Sequence, residues 1–250
     1  YISVEKTLRS LLDNEQYVRG LLQTGESESD LISHFCDGEL GKSRIPCVSN
    51  GTVSIVLQLF YDDMGTANPL RGQSVMSKVG VFYYVVKNLP DAWNSCFANV
   101  HLLALCDTED LKGHSFGPIL NKFCDEMSRL ATLGFCGCFP VIGPATVYIT
   151  LGQVACDNLA LNGMLGFVES FSGDYYCTQC YATRDSIKTG FVEECFEMRT
   201  AAEYDKDVSG LQGDKDGKRS LHVRGVKRNC ELNRLDGFHV TENFTVHIMH

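Results

Sequence analysis

Carboxylates and thiols are the side chains whose types and spacing in this sequence could do chemistry. Asp62 and Asp63 follow a long apolar run from Val53 to Tyr61, and Asp157 follows another, Ala145 to Leu151 continued by Gln153-Val154-Ala155-Cys156. Runs this rich in β-branched and aromatic residues predict buried strands. Acids just beyond the ends of two neighbouring strands would meet at one edge of a sheet. Clustered carboxylates of that kind hold hard divalent cations. Two such cations about 4 Å apart activate an attacking oxygen and steady a leaving one in an in-line phosphoryl displacement. The plainer reading is that Asp62-Asp63 and Asp157-Asn158 are turn residues, whose short polar side chains bond their own backbone.

Cys177-x-x-Cys180 is the second signal, because two thiolates at this spacing grip one zinc ion and leave two positions for other ligands. His239, His247 or His250 could complete such a site, with Cys195 and Cys230 as competitors. A redox pair or two free thiols are the other readings. Zinc is favoured because the polar stretch after the pair is too weak in apolar residues to hold itself together. A basic concentration, Lys215, Lys218, Arg219, Arg224, Lys227, Arg228 and Arg234, could face a DNA backbone or simply solvent. For Trp93, Tyr83 and Tyr84, core packing is a simpler account than base stacking, and His101 reads as a satisfied core histidine.

The elements that must position these groups follow from periodicity. Val4 to Leu22 carries leucines at helical spacing, and Glu26 to Cys47 reads as a connector with a short helix around Ser29 to Phe35. Strands are expected over Val53–Tyr61, Val79–Lys87 and Val100–Leu105, the three in sequence suggesting a meander. A helix over Phe116 to Leu133, a fourth strand over Ala145–Leu151 and a helix from Leu159 to Ser170 complete the order. Gly210 to Gly217 reads as a turn-rich polar loop.

Composition bounds the function. In 250 residues, 44% hydrophobic and 21% charged, there is ample apolar mass for a core, so overall disorder is excluded. A formal net charge of -9 excludes a protein that coats nucleic acid along its whole surface. No apolar run approaches the roughly 18 residues of a membrane-spanning helix. Twelve cysteines in a chain with its own core, and no signal segment at Tyr1 to Lys6, suggest mostly reduced thiols. Neither end carries start or stop signals, so the sequence reads as an excerpt of a longer chain.

Several blocks, in order, carry a family resemblance: Leu59-Phe60-Tyr61-Asp62-Asp63, Asn68-Pro69-Leu70, Gly80-Val81-Phe82-Tyr83-Tyr84, Lys87-Asn88-Leu89-Pro90 and Asn99-Val100-His101-Leu102-Leu103-Ala104-Leu105. Cys156-Asp157-Asn158-Leu159-Ala160-Leu161-Asn162, Gly166-Phe167, Cys177-Thr178-Gln179-Cys180, Phe238-His239 and Ile248-Met249-His250 continue it. From about Thr52 to His250 the sequence resembles transposases of animal CACTA (En/Spm)-like DNA transposons. The resemblance implies an α/β core of ribonuclease H-like type, a mixed sheet with flanking helices, acids after its first and fourth strands, and a small Cys-containing insertion. Residues 1–50 would be a helical lead-in, 51–174 the first part of the core, and 175–250 the insertion with the Cys pair and basic segment. It implies a DDE-type catalytic set with Asp62 or Asp63 first, Asp157 second and a third acid beyond His250. Mg²⁺ or Mn²⁺ would be the cofactor, with structural Zn²⁺ at Cys177, Cys180, His239 and His250. The partners would be transposon-end DNA and further copies of the chain, in the nucleus and with no membrane. His247 stands where such proteins carry an acid, which suggests a decayed copy. The rival expectations are a degenerate or domesticated relic that binds DNA or protein without catalysis, and a plain zinc-binding interaction module.

Overall fold

A computed structural model describes residues 1–23, 35–38, 51–66, 77–211 and 222–246. Asn68-Pro69-Leu70, Lys215, Lys218, Arg219, His247 and His250 lie outside the described residues. So does most of the expected connector, of which 35–38 is described, with a single 3-10 turn at Phe35–Asp37.

Two short helices, α1 (Val4–Leu12) and α2 (Glu15–Gln23), replace the single helix expected from the leucine spacing. The break is chemical: the side chain of Asn14 accepts from the amides of Gln16 at 2.9 Å and Tyr17 at 3.2 Å and so starts a new helix. Val4, Leu8, Leu12, Val18 and Leu21 still turn inward, which is what the spacing dictated.

The sheet is built from β1 (Thr52–Thr66), β2 (Ser77–Val86), β3 (His101–Asp107), β4 (Phe135–Phe139), β5 (Gly143–Cys156) and β6 (Phe244–Val246). Its order is β3-β2-β1-β5-β4, with β6 also on β5. The first three strands form the expected meander, antiparallel throughout. β5 runs parallel to β1, and β6 parallel to β5. The molecule is thus α/β with a mixed parallel and antiparallel sheet and flanking helices.

Three strand expectations need correction. β1 does not stop before Asp62 but continues to Thr66, because β2 pairs with it all the way to Thr66 opposite Ser77. β4 was not anticipated: Cys136-Gly137-Cys138 has no strand-like composition, yet it pairs with β5 from Phe135 opposite Val147 to Phe139 opposite Gly143. β5 is one strand of 14 residues rather than a shorter one with an extension. It stays continuous because Gly152 bulges from the ladder, the partner of Leu57 being Leu151 and that of Gln58 being Gln153.

Between these strands lie α3 (Asp91–Asn94), α4 (Thr108–His114), α5 (Gly117–Thr132) and α6 (Asn158–Leu165); α7 (Ala201–Leu211) follows. α5 buries Leu120, Phe123, Cys124, Met127 and Leu130 against one face of the sheet, as its periodicity required. α6 ends at Leu165, earlier than Ser170, because Gly166 takes a left-handed φ of 83° that closes the helix. Gly210 lies inside α7 rather than in a loop. One apolar cluster joins α1, α2, α5, α6, the strands and Tyr204, Val226, Leu232 and Val240. No helix among the described residues is long and apolar enough to cross a membrane.

Candidate functional site

β1 and β5 pair in parallel up to Phe60 opposite Ala155. Two residues further on the same face come Asp62 on β1 and Asp157, the residue after β5. Phe60, Asp62, Tyr83, Ala155 and Asp157 line one shallow cleft of about 80 Å³, together with the intervening Tyr61 and Cys156. Asp62 is exposed and Asp157 half-buried. The bulge decides this meeting: with Gly152 taken into the ladder, Asp157 would stand in register with Asp63 instead. A Cβ on Gly152 would come within 2.5 Å of Val56 Cγ1, so only glycine fits there without displacement.

Side chains alternate across a strand, so Asp63 turns to the other face. There it accepts a hydrogen bond from the Tyr61 hydroxyl. Tyr61 in turn packs against Phe82 and edge-on against Phe116, under the helical layer. Burial, then the bond to Asp63, raises the Tyr61 phenol well above its usual range.

Each acid of the cleft is oriented by a backbone amide. Asp157 is the N-cap of α6, its Oδ1 accepting from the Ala160 amide at 2.6 Å, and Asp62 Oδ1 accepts from the Asp63 amide at 2.8 Å. The cap on α6 contributes about 1 kcal/mol. Among the described residues the second oxygen of each carboxylate has no hydrogen-bond donor. Their charges reach the neighbours: burial first, with Asp157 and Asp62 adding to it, pushes the Cys156 thiol up to about 12. Burial and then Asp62 likewise raise Tyr83.

The thiol pair stands in a different setting. The Gln179 amide points at Cys177 Sγ at 3.4 Å, and the strip 179–182 is tied to 197–199 by Arg199 N to Gln179 O at 2.8 Å and Tyr181 N to Glu197 O at 2.9 Å. Burial, then the neighbouring Cys177, raises the Cys180 thiol. A hollow of about 270 Å³ beside Cys180 is lined by Gln179, Glu193, Phe196 and Met198. No group of three or more His, Cys, Asp or Glu side chains poised to hold a metal occurs among the described residues. His239 bonds Thr241 through Nδ1 at 2.7 Å, its Nε2 lies 3.8 Å from Asp205, and its ring meets Tyr204 edge-on. Cys230 is buried against Met164 O, and Cys195 is exposed.

Each described cation of the basic segment already holds a carboxylate: Arg224 on Asp207 at 2.8 Å, Lys227 on Glu169 at 2.8 Å, Arg228 on Glu231 at 2.6 Å and Arg234 on Asp125 at 2.6 Å. Except for Arg228 and Glu231, three residues apart, nothing in the order of residues signals this, because the partners lie 17 to 109 residues away. His101 is buried beside Tyr84 as expected, but its Nε2 finds no hydrogen-bond partner among the described residues, so it is not a fully satisfied histidine.

Sequence reasoning missed Arg199. Its guanidinium is wholly buried and donates to the carbonyls of Cys177 at 2.9 Å, Tyr175 at 3.2 Å and Arg224 at 2.7 Å. The Tyr181 ring lies 4.2 Å from the guanidinium of Arg199 and 4.0 Å from that of Arg224, while its hydroxyl donates to Asp207 at 3.1 Å. Those partners are spread over irregular chain, where no periodicity could have flagged them. Of the aromatic walls of the acid cleft, Phe60 was not singled out, and Tyr83, for which core packing was expected, stands half-buried in the cleft, whereas Tyr84 is a core residue as expected; the signal was the cross-strand register, which a single sequence does not print. A scan of the sequence against protein-family models finds no match, and a search of the curated proteins finds none either.

Proposed function

We propose that this chain is part of a transposase of the DDE type, built on a ribonuclease H-like core, that cuts and joins transposon-end DNA. The observation that carries the reading is the meeting of Asp62 and Asp157, 95 residues apart in sequence, in one cleft at the ends of adjacent parallel strands. The strand plan supports it: an antiparallel meander β1 to β3, β5 parallel to β1 and beside it, and β6 parallel to β5, with the short β4 added antiparallel to β5. So does the run of sequence blocks that resembles CACTA-type transposases.

The donor set suits a hard divalent cation, since both groups are carboxylates and each keeps one oxygen unengaged among the described residues. Asp62 and Asp157 would hold Mg²⁺ or Mn²⁺, which supplies Lewis acidity at a phosphodiester and eases loss of a proton from water. Asp63, committed to Tyr61 on the other face, is left out of the set. The backbone bonds to Asp62 and Asp157 fix the direction of both carboxylates before any ligand arrives. Phe60, Tyr83 and Ala155 stand beside the two carboxylates in the same cleft. A third acid would come from beyond His250, and nuclear localisation and assembly of several copies belong to the same reading. Cys177 and Cys180 fit half of a structural zinc site, whose other ligands, His250 among them, would lie outside the described residues.

The test is a chain carried on past His250 along its own gene, incubated with DNA bearing the transposon ends. It should nick that DNA only with Mg²⁺ or Mn²⁺, and Asp62→Ala and Asp157→Ala should each remove the activity while Asp63→Ala spares most of it. Undiminished nicking by the Asp157→Ala chain overturns the assignment. One feature of the sequence favours a second reading, a relic that binds without catalysis: His247 stands where the transposases it resembles carry an acid. Metal-independent DNA or protein binding with no cleavage by the extended chain would select it.

A further inference from the structure

Phe60 and Tyr83 stand directly opposite one another on β1 and β2, with rings stacked at 5.0 Å and 1° between planes. Their sequence neighbours show what core aromatics look like here. Tyr61 and Phe82 are 5% and 0% exposed and pack on Phe116, on the face covered by the helices. Phe60 and Tyr83 lie on the opposite face, only half-buried, in the cleft that also holds Asp62 and Asp157. Leu102, opposite Tyr83 on β3, extends the apolar row and is 37% exposed.

We propose that Phe60 and Tyr83 form a stacking platform for the base of an unpaired nucleotide whose phosphodiester lies at Asp62 and Asp157. The inference rests on the proposed DNA chemistry and deepens it by naming the form of the substrate: a single strand or a frayed end rather than intact duplex. Residues two apart on one face of a strand are about 7 Å apart, so the rings sit one nucleotide's reach from the carboxylates. Every base offers a planar face to an aromatic ring, but a base held in duplex has both faces occupied by its neighbours. Affinity at the cleft is assigned to the rings rather than to phosphate contacts, because the cleft carries acids and the described cations of 222–246 are held by carboxylates. Binding through the platform should therefore weaken only slightly with added salt, unlike contacts made by lysine and arginine to phosphates.

The experiment titrates the full 250-residue chain into a short single-stranded DNA carrying 2-aminopurine, in buffer containing Ca²⁺. Quenching of the fluorescent base should saturate, vary little between low and moderate salt, and be much weaker for the same strand paired in a duplex. Tyr83→Leu and Phe60→Leu should each lower the affinity about ten- to a hundredfold, and Tyr83→Trp should restore it. Should either leucine variant fail to fold, Tyr83→Trp still decides the matter, because its indole emission must change on adding unlabelled single strand. Equal affinity in Tyr83→Leu, or an unchanged indole, overturns the platform. Nicking by the extended chain together with ring-independent binding keeps the acids' role and removes the platform. Ring-dependent quenching by a chain that never nicks does the reverse.

Discussion

The sheet and the Cys-bearing segment after it are ordered by opposite means. In the sheet, β1 lies between β2 and β5, and Ile55, Leu57, Leu59, Phe82, Val147 and Ile149 are almost wholly withdrawn from water. Order there comes from backbone ladders and apolar area. The described residues of 175–228 have no ladder longer than an isolated bridge, and α7 buries only Tyr204 and Asp207. There the ties are polar: Arg199 bridges three carbonyls, and Asp207 receives Arg224 and Tyr181. The difference teaches that a stretch poor in apolar residues can be fixed in place by a few charges. Each of them is costly to remove because its partners stay buried.

Substitutions at three positions sharpen that contrast. Phe82→Ala should have the largest effect, about 4 kcal/mol, lowering the midpoint of urea unfolding for every probe at once because the cavity opens in the common core. Arg199→Met should cost about 3 kcal/mol but selectively. Amide hydrogen exchange should rise across 175–228 while the amides of β1 and β5 keep their protection; a uniform loss of protection would erase the distinction between the regions. The smallest effect belongs to the acid cleft. Asp157→Ala should destabilise by about 1 kcal/mol through the lost cap on α6, and Asp157→Ser, which can still cap, by only a few tenths. Both variants should lose divalent-cation binding measured by calorimetry, so stability and ligation come apart at this residue.

Much of the sheet was legible because its strands are long apolar runs punctuated by turn residues, and α5 because its leucines and aromatics repeat at helical spacing. What escaped was decided by single contacts. Asn14 split one helix into two with its side chain, and Gly166 stopped α6 by adopting a backbone few residues tolerate. β4 follows from pairing with β5, not from its own composition. At the cleft, the sequence pointed to Asp62, Asp63 and Asp157 but could not say which of the first two faces the third, since that depends on alternation and register across 95 intervening residues. The basic segment misled for a related reason: charge is visible in a sequence, but its neutralisation by a distant carboxylate is not.

Gly152 gives the cleft a kind of insulation. Upstream of it β5 is clamped to β1 from Thr146 through Leu151, so a longer or shorter turn before Gly143 leaves the phase of the two acids untouched. Downstream, a single residue added between Gln153 and Cys156 would bring Asp157 into step with Asp63, on the other face and beside Tyr61. Tolerance to changes in chain length is therefore lopsided along this strand, generous before the glycine and absent after it.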